Sequence, residues 1–265
     1  MNQVIYATAL IFCFSIVMTM TGRGGGNFYV PILIACGLPM LRAATTSQFI
    51  LLATSLASTM IFAKKRSIDW KLALVIDPPT DIMALVGGYY AHCLPVGILK
   101  VIFSVMLVLA GFFMLRPVKE RPINDTHKFG YWRRTFGTDV YTVNLWLAIP
   151  VCAAAGIVAG MTGISGGSFK VPLMALVCGV PMKIAVGTSS AMIAATALMG
   201  LVGHTMAGDF SMSWTVPLGI AAVAGGLFGA RISLKTKPQT LKKVFAYTTF
   251  AAALFMFVSA WMTQG

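Results

Sequence analysis

Two segments of this chain repeat one glycine-broken pattern in the same order. Thr21-Gly22-Arg23-Gly24-Gly25-Gly26-Asn27-Phe28-Tyr29-Val30-Pro31 aligns with Thr162-Gly163-Ile164-Ser165-Gly166-Gly167-Ser168-Phe169-Lys170-Val171-Pro172. The match continues through Gly37-Leu38-Pro39-Met40 with Gly179-Val180-Pro181-Met182, Thr46-Ser47 with Thr188-Ser189, and Ala53-Thr54 with Ala195-Thr196. Shared order over so many positions marks an internal duplication. The chain must therefore fold as two related halves, each holding one break.

The breaks sit among long apolar runs. Apolar residues make up 58% of the chain and charged residues 10%, against roughly half and a quarter in soluble domains. A bilayer-spanning helix needs ~20 apolar residues. The pattern predicts long helices over 4–21, 43–63, 72–91, 98–116, 141–161, 184–205, 213–233 and 243–262. Two shorter stretches, 28–40 and 169–181, follow the glycines. At 1.5 Å per residue each covers only ~20 Å of a ~30 Å hydrocarbon core. The first 20 residues carry no Lys or Arg, so a retained helix is expected there rather than a cleaved leader. The polar segment 117–140 divides the chain into a first membrane repeat, 1–116, a cytoplasmic linker, and a second membrane repeat, 141–265.

The net charge is +13. Nucleic-acid binding does not explain it, because no basic patch with interleaved aromatics is present. Lys64, Lys65, Arg66 and Lys71 lie in one loop, Arg116, Lys119, Arg121, Lys128, Arg133 and Arg134 in a second, and Arg231, Lys235, Lys237, Lys242 and Lys243 in a third. Basic loops stay on the cytoplasmic side. The loops near 92–97 and 206–212 are almost free of Lys and Arg and should face outward. The basic loop of the first half is thus inside, and its counterpart near Asp209 is outside. This parity predicts an all-α polytopic membrane protein of two inverted repeats, five helical elements each, with both termini outside. Inverted repeats with broken helices are a transporter architecture, with the binding site near the midplane.

The breaks themselves suggest anion chemistry. Unwound backbone inside a membrane is tolerated only beside protein or a water-filled cavity. Short helices beginning near Phe28 and Phe169 would aim free N–H groups and positive dipole ends at such a cavity. Gly24, Gly25, Gly26, Gly166 and Gly167 would let a ligand approach the backbone, while Asn27, Ser165 and Ser168 add side-chain donors. Arg23 and Lys170 would supply positive charge, since a cation within a span usually faces the protein interior. Thr46, Ser47, Thr188 and Ser189 open the next helices, where hydroxyls either complete an anion shell or cap the helix. Close packing of small residues and snorkelling of the cations are the plainer alternatives.

Asp77-Pro78-Pro79-Thr80-Asp81 interrupts the run 72–91. The prolines should kink this helix. Asp81, with Asp77 nearer the cytoplasmic end, is a candidate proton-coupling carboxyl. A salt bridge to Arg23 or Lys170, or a solvated turn, is the competing reading. His92 and His204 sit at predicted outer helix ends, where an interfacial role is simplest. Cys13, Cys36, Cys93, Cys152 and Cys178 show no metal-ligand spacing and read as small apolar residues. Gly163-Ile164-Ser165-Gly166-Gly167 fits the frame of a serine nucleophile, so an intramembrane hydrolase using Ser165 is a remote alternative. Ser165 aligns with Gly24, however, so the frame reads as backbone geometry. No metal or cofactor is expected. The expected partners are a small anion and the lipid bilayer, with a homodimer as one option.

The Gly-Gly-x-Phe-x-Val-Pro block of each repeat, the Gly-x-Pro that follows, and the Ala-x-x-Thr-Ser helix openings resemble the sulfite exporter TauE/SafE family of membrane permeases. The resemblance covers nearly the whole chain. It implies a bacterial cytoplasmic-membrane transporter for sulfite, organosulfonates or related oxyanions, driven by ion coupling rather than ATP. By position it carries the site onto the two glycine blocks and the two Thr-Ser pairs. Arg23 and the Asp-Pro-Pro-Thr-Asp stretch depart from the pattern. An importer or channel of the same fold for another small carboxylate or anion is the alternative.

Overall fold

The structure is a computed structural model that describes residues 2–115, 129–206 and 212–262. Positions 116–128 and 207–211, with the basic residues and the Asp209 loop placed there from sequence, lie outside the described residues. The elements run α1 (Asn2–Met20), α2 (Gly26–Ala35), α3 (Met40–Lys64), α4 (Trp70–Ile76), α5 (Pro78–Tyr90), α6 (Val96–Leu115), β1 (Tyr131–Phe136), β2 (Asp139–Asn144), α7 (Leu145–Thr162), α8 (Gly167–Pro172), α9 (Met182–Met206), α10 (Met212–Lys235) and α11 (Pro238–Met262). Among the described residues, four helical segments are long and apolar enough to cross a membrane: Met40–Lys64, Leu145–Thr162, Met182–Met206 and Thr215–Lys235.

Each break forms because glycine tolerates a backbone that other residues avoid. Gly22, Gly24 and Gly25 have φ of 73°, 71° and 113°, and Gly163 has φ of 72°. No ordinary L-residue holds such angles without strain. The short helices then end on a second glycine. The Leu38 N–H reaches the Leu33 carbonyl at 3.0 Å and the Gly37 N–H reaches Ile34 at 2.9 Å, the paired bonds of a Schellman cap.

The second copy differs by one residue. The glycine blocks are 141 positions apart, but Gly37 and Gly179 are 142 apart. The extra residue is absorbed where α8 passes into a π turn over Leu173–Val177. A π turn takes one more residue per hydrogen-bonded ring than an α turn.

The helices pack crosswise between halves. α1 lies against α10 and α7 against α5; α3 meets α10, α9 meets α5, α3 and α9 touch each other, and α6 packs on α11. The contacts recur at matched positions. A Cβ on Gly87 would stand 2.3 Å from the Ile157 carbonyl oxygen, and one on Gly229 would stand 2.4 Å from that of Ile16. Both pairs of helices therefore meet backbone to backbone, as small residues allow in membranes.

Two expectations need correction. The fold is not all-α, because part of the polar segment forms a β-hairpin in which Arg134 pairs with Tyr141. The helix placed at 141–161 consequently starts at Leu145, where the Asn144 side chain caps it. The run 72–91 is also not one kinked helix. It splits at Asp77, because Pro78 fits only the first turn of a new helix.

Candidate functional site

The two breaks interlock through the helices that follow them. Ser47 Oγ on α3 donates to the Gly163 carbonyl at 2.9 Å, and Ser189 Oγ on α9 donates to the Gly22 carbonyl at 2.8 Å. A Cβ on Gly22 would stand 2.8 Å from Val186 Cα, and one on Gly163 would stand 2.6 Å from Ala44 Cα. Between these seams the aligned residues Asn27 and Ser168 touch, Ser168 Oγ donating to Asn27 Oδ1 at 2.9 Å. The starts of α2 and α8 therefore meet. Asn27 Nδ2 and Ser165 Oγ are buried there without a hydrogen-bond partner. Buried polar groups are nearly always bonded, so two unpaired ones at one junction call for an explanation.

Lys170 is fully buried on α8. Its Nζ pairs with Asp77 and donates to Thr196 Oγ1 at 2.7 Å. Thr196 Oγ1 lies 2.8 Å from Asp81 Oδ1. Asp77 and Asp81, one turn apart, thus share a single cation. The matched cluster is neutral: Tyr29 takes the aligned place, its hydroxyl 2.6 Å from Ser15 and 3.3 Å from Thr54. Counting back from the matched contacts of Gly87 and Gly229 sets Gly219 and Val223 opposite Asp77 and Asp81. One of the two matched clusters carries the charge; the other carries a phenol.

Arg23 does not point at this junction. Its guanidinium is buried toward α11, bonded to Thr248 and Thr249, to Thr21 Oγ1 at 3.2 Å and to Met18 Sδ at 3.3 Å, and it sits 4.2 Å over the Phe245 ring. No carboxylate pairs with it among the described residues. Thr188 is used elsewhere too, accepting the Asp69 N–H at 3.0 Å. Thr46 is buried near the start of α3. His204 Nε2 contacts the Gly160 carbonyl at 2.8 Å, and no described side chain bonds Ser165 Oγ, so the serine has no base in contact.

A second polar cluster ties the hairpin to the membrane region. Arg134 meets both oxygens of Asp69 at 2.8 and 2.9 Å, and the Tyr141 hydroxyl donates to the same carboxylate. Asp69 also caps α4 by accepting the Lys71 and Leu72 N–H groups at 3.1 Å. Partial burial alone would raise the Asp69 carboxyl, but the bonds from Arg134, Tyr141 and Leu72 outweigh it and hold it below the ordinary carboxylate range.

The sequence profile described as Sulfite exporter TauE/SafE matches residues 7–256. The chain belongs to this family. It is similar to the probable membrane transporter protein YunE of Bacillus subtilis (strain 168), 29% identical over 84% of this chain and 86% of that protein. A probable membrane transporter protein of Haemophilus influenzae is 28% identical over 92% of each. Sulfite exporter TauE/SafE family protein 5 of Arabidopsis thaliana is 29% identical over 40% of this chain and 24% of its own length. No solved structure gives a significant match. The TauE/SafE chain is therefore a membrane-embedded protein of a transporter family.

Sequence reasoning singled out the glycine blocks and both aspartates of this TauE/SafE member, and missed Thr196 and Tyr29. Thr196 carried a usable signal. It recurs in the alignment opposite Thr54 and lies two helical turns beyond Ser189, on the same face of α9.

Proposed function

We propose that this chain is a secondary transporter that moves sulfite, an organosulfonate or a related small anion across the bacterial cytoplasmic membrane, coupled to protons or another ion. The anion binds where the two glycine breaks meet. Backbone N–H groups beside Gly24, Gly25, Gly26, Gly166 and Gly167 and the side chains of Asn27, Ser165 and Ser168 hold its oxygens. Lys170 supplies the nearby positive charge, and Asp81, with Asp77 beside it on the same cation, carries the proton. Ser47 and Ser189 keep the breaks open; Thr46, Thr188 and Arg23 act from farther out.

The observation that carries this reading is the pair of unpartnered buried donors, Asn27 Nδ2 and Ser165 Oγ, where two helices begin. An unmet donor costs free energy when buried, and an anion would relieve both. The crosswise packing and reciprocal serine bonds support two repeats of opposite orientation, as does the placement of the basic loops. Rocking of the halves would then expose the site to each side in turn.

Uptake of labelled sulfite, a sulfonate and a small carboxylate into proteoliposomes, with and without a pH gradient, tests this. Saturable sulfite or sulfonate flux that follows the gradient is expected. Replacing Asn27 or Ser165 by Ala should raise KM roughly tenfold, the worth of one charge-assisted bond. Flux that does not saturate would make the protein a channel, and carboxylate flux alone would move the substrate class.

A further inference from the structure

Thr196 stands between Lys170 and Asp81 with more acceptors than it has protons. Its oxygen receives the Lys170 ammonium at 2.7 Å. The same oxygen lies 2.8 Å from Asp81 Oδ1 and 3.0 Å from the Met192 carbonyl. A hydroxyl has one hydrogen and two lone pairs. One of the two acceptors must go without at any moment, and Lys170 occupies one lone pair throughout.

The charge on Asp81 decides which acceptor wins. An ionised carboxylate makes the stronger, charge-assisted bond, so Thr196 donates to it. When Asp81 binds a proton, its new O–H can donate to the free lone pair of Thr196. The Thr196 hydrogen then swings to the Met192 carbonyl. Every bond lost is replaced and Lys170 stays in place. Asp77 has no such exit. It holds Lys170 directly in a buried pair, so protonating it would break that ion pair and leave only Asp81, one hydroxyl away, to balance the ammonium.

The charge count gives this arrangement a purpose. With both carboxylates ionised, Lys170, Asp77 and Asp81 sum to −1, which repels an anion at the adjacent Ser168. With Asp81 protonated they sum to zero. Asp81 is also the half-buried member of the set, whereas Lys170 and Asp77 are buried, so it is the one open to proton exchange. Among the described residues, few other titratable groups face it. From α7 the Cys152 thiol faces the cluster. On α9, His204 lies two turns beyond Thr196, bonded to Gly160.

We propose that Thr196 is the switch that couples anion arrival beside Lys170 to uptake of one proton by Asp81, so that one proton travels with each anion. The proton comes from water on the side where the anion enters: Asp81 carboxylate and hydronium become the carboxylic acid and water. This rests on the anion-transport reading above.

Two measurements on the full-length protein test it. Infrared difference spectra on acidification, with no anion added, should show one carboxylic C=O band that is lost in Asp81→Asn and kept in Asp77→Asn. Its frequency should move in Thr196→Val, where the acid proton has lost its acceptor, and return in Thr196→Ser. In proteoliposomes, the proton count per sulfite, read with a trapped pH dye, should be one in the wild type and Thr196→Ser and near zero in Thr196→Val. A band that follows Asp77, or a frequency and proton count indifferent to Thr196→Val, would overturn the switch. Absence of wild-type sulfite flux with the infrared pattern intact would instead refute sulfite as the substrate.

Discussion

Ser47 and Ser189 hold aligned places in the two halves, and each donates to a glycine carbonyl in the half opposite, at 2.9 and 2.8 Å. The breaks are thus held open by one another. In each break the hydroxyl that satisfies the unwound carbonyl comes from the other half.

This reciprocity predicts paired effects. Ser47→Ala and Ser189→Ala should each lower stability by about 0.6 kcal/mol and by no more than about 1.7 kcal/mol, the average and the maximum for side-chain hydrogen bonds between membrane helices. The two losses should be alike. Thermal unfolding in detergent measures them, and a large effect at only one serine would contradict the pairing.

The glycines separate conformational strain from collision. Gly37 has φ of 88° with nothing within 4 Å of a built Cβ, so Gly37→Ala should cost only the left-handed penalty of about 1–2 kcal/mol. Gly22→Ala meets the Val186 backbone at 2.8 Å as well. Backbone cannot step aside as a side chain does, so this variant should give little folded protein by size-exclusion chromatography.

Removing Lys170 should hurt more than removing its pair. Lys170→Met leaves Asp77 buried without a counter-charge, a change worth about 3–5 kcal/mol in buried pairs. The double variant Lys170→Met, Asp77→Asn should regain much of that stability while remaining inactive. Equal melting temperatures for the single and double variants would show that Asp77 does not need Lys170.

The hairpin should stay docked across the physiological pH range. Because the folded Asp69 carboxyl lies below its ordinary value, its stabilising contribution is fully present above that value. It is lost only as pH falls through the lowered one. Protease cleavage of the hairpin should therefore be flat from about pH 8 to pH 5 and rise in stronger acid. Arg134→Gln should make it rapid at every pH, and Arg134→Lys should rescue little, since an ammonium lacks the guanidinium fork.

Much of the fold was legible because its punctuation is covalent. Glycine runs and prolines mark breaks whatever surrounds them, so the starts of both short helices and the interruption at Pro78 could be placed within a few residues. The hairpin was hidden although Tyr131–Phe136 and Asp139–Asn144 alternate about Gly137, because so many polar side chains read as a solvated linker. At the site, residue types were readable and directions were not. Arg23 leaves the chain between two glycines of positive φ, and only the packed α11 determines that its guanidinium turns to Thr248 and Thr249. Thr196 gains its meaning from Lys170 on a different element, a relation no local spacing encodes.

The π turn at Leu173–Val177 has a consequence for angular phase. One inserted residue in a regular helix would rotate everything after it by about 100°. The wide turn swallows that rotation within five residues. Gly179 therefore bends at φ 67°, near the 88° of Gly37, and α9 leaves its turn facing the same way as α3. Without this phase correction Ser189 would point away from Gly22, so a local irregularity one short helix beyond the junction keeps the two halves in step.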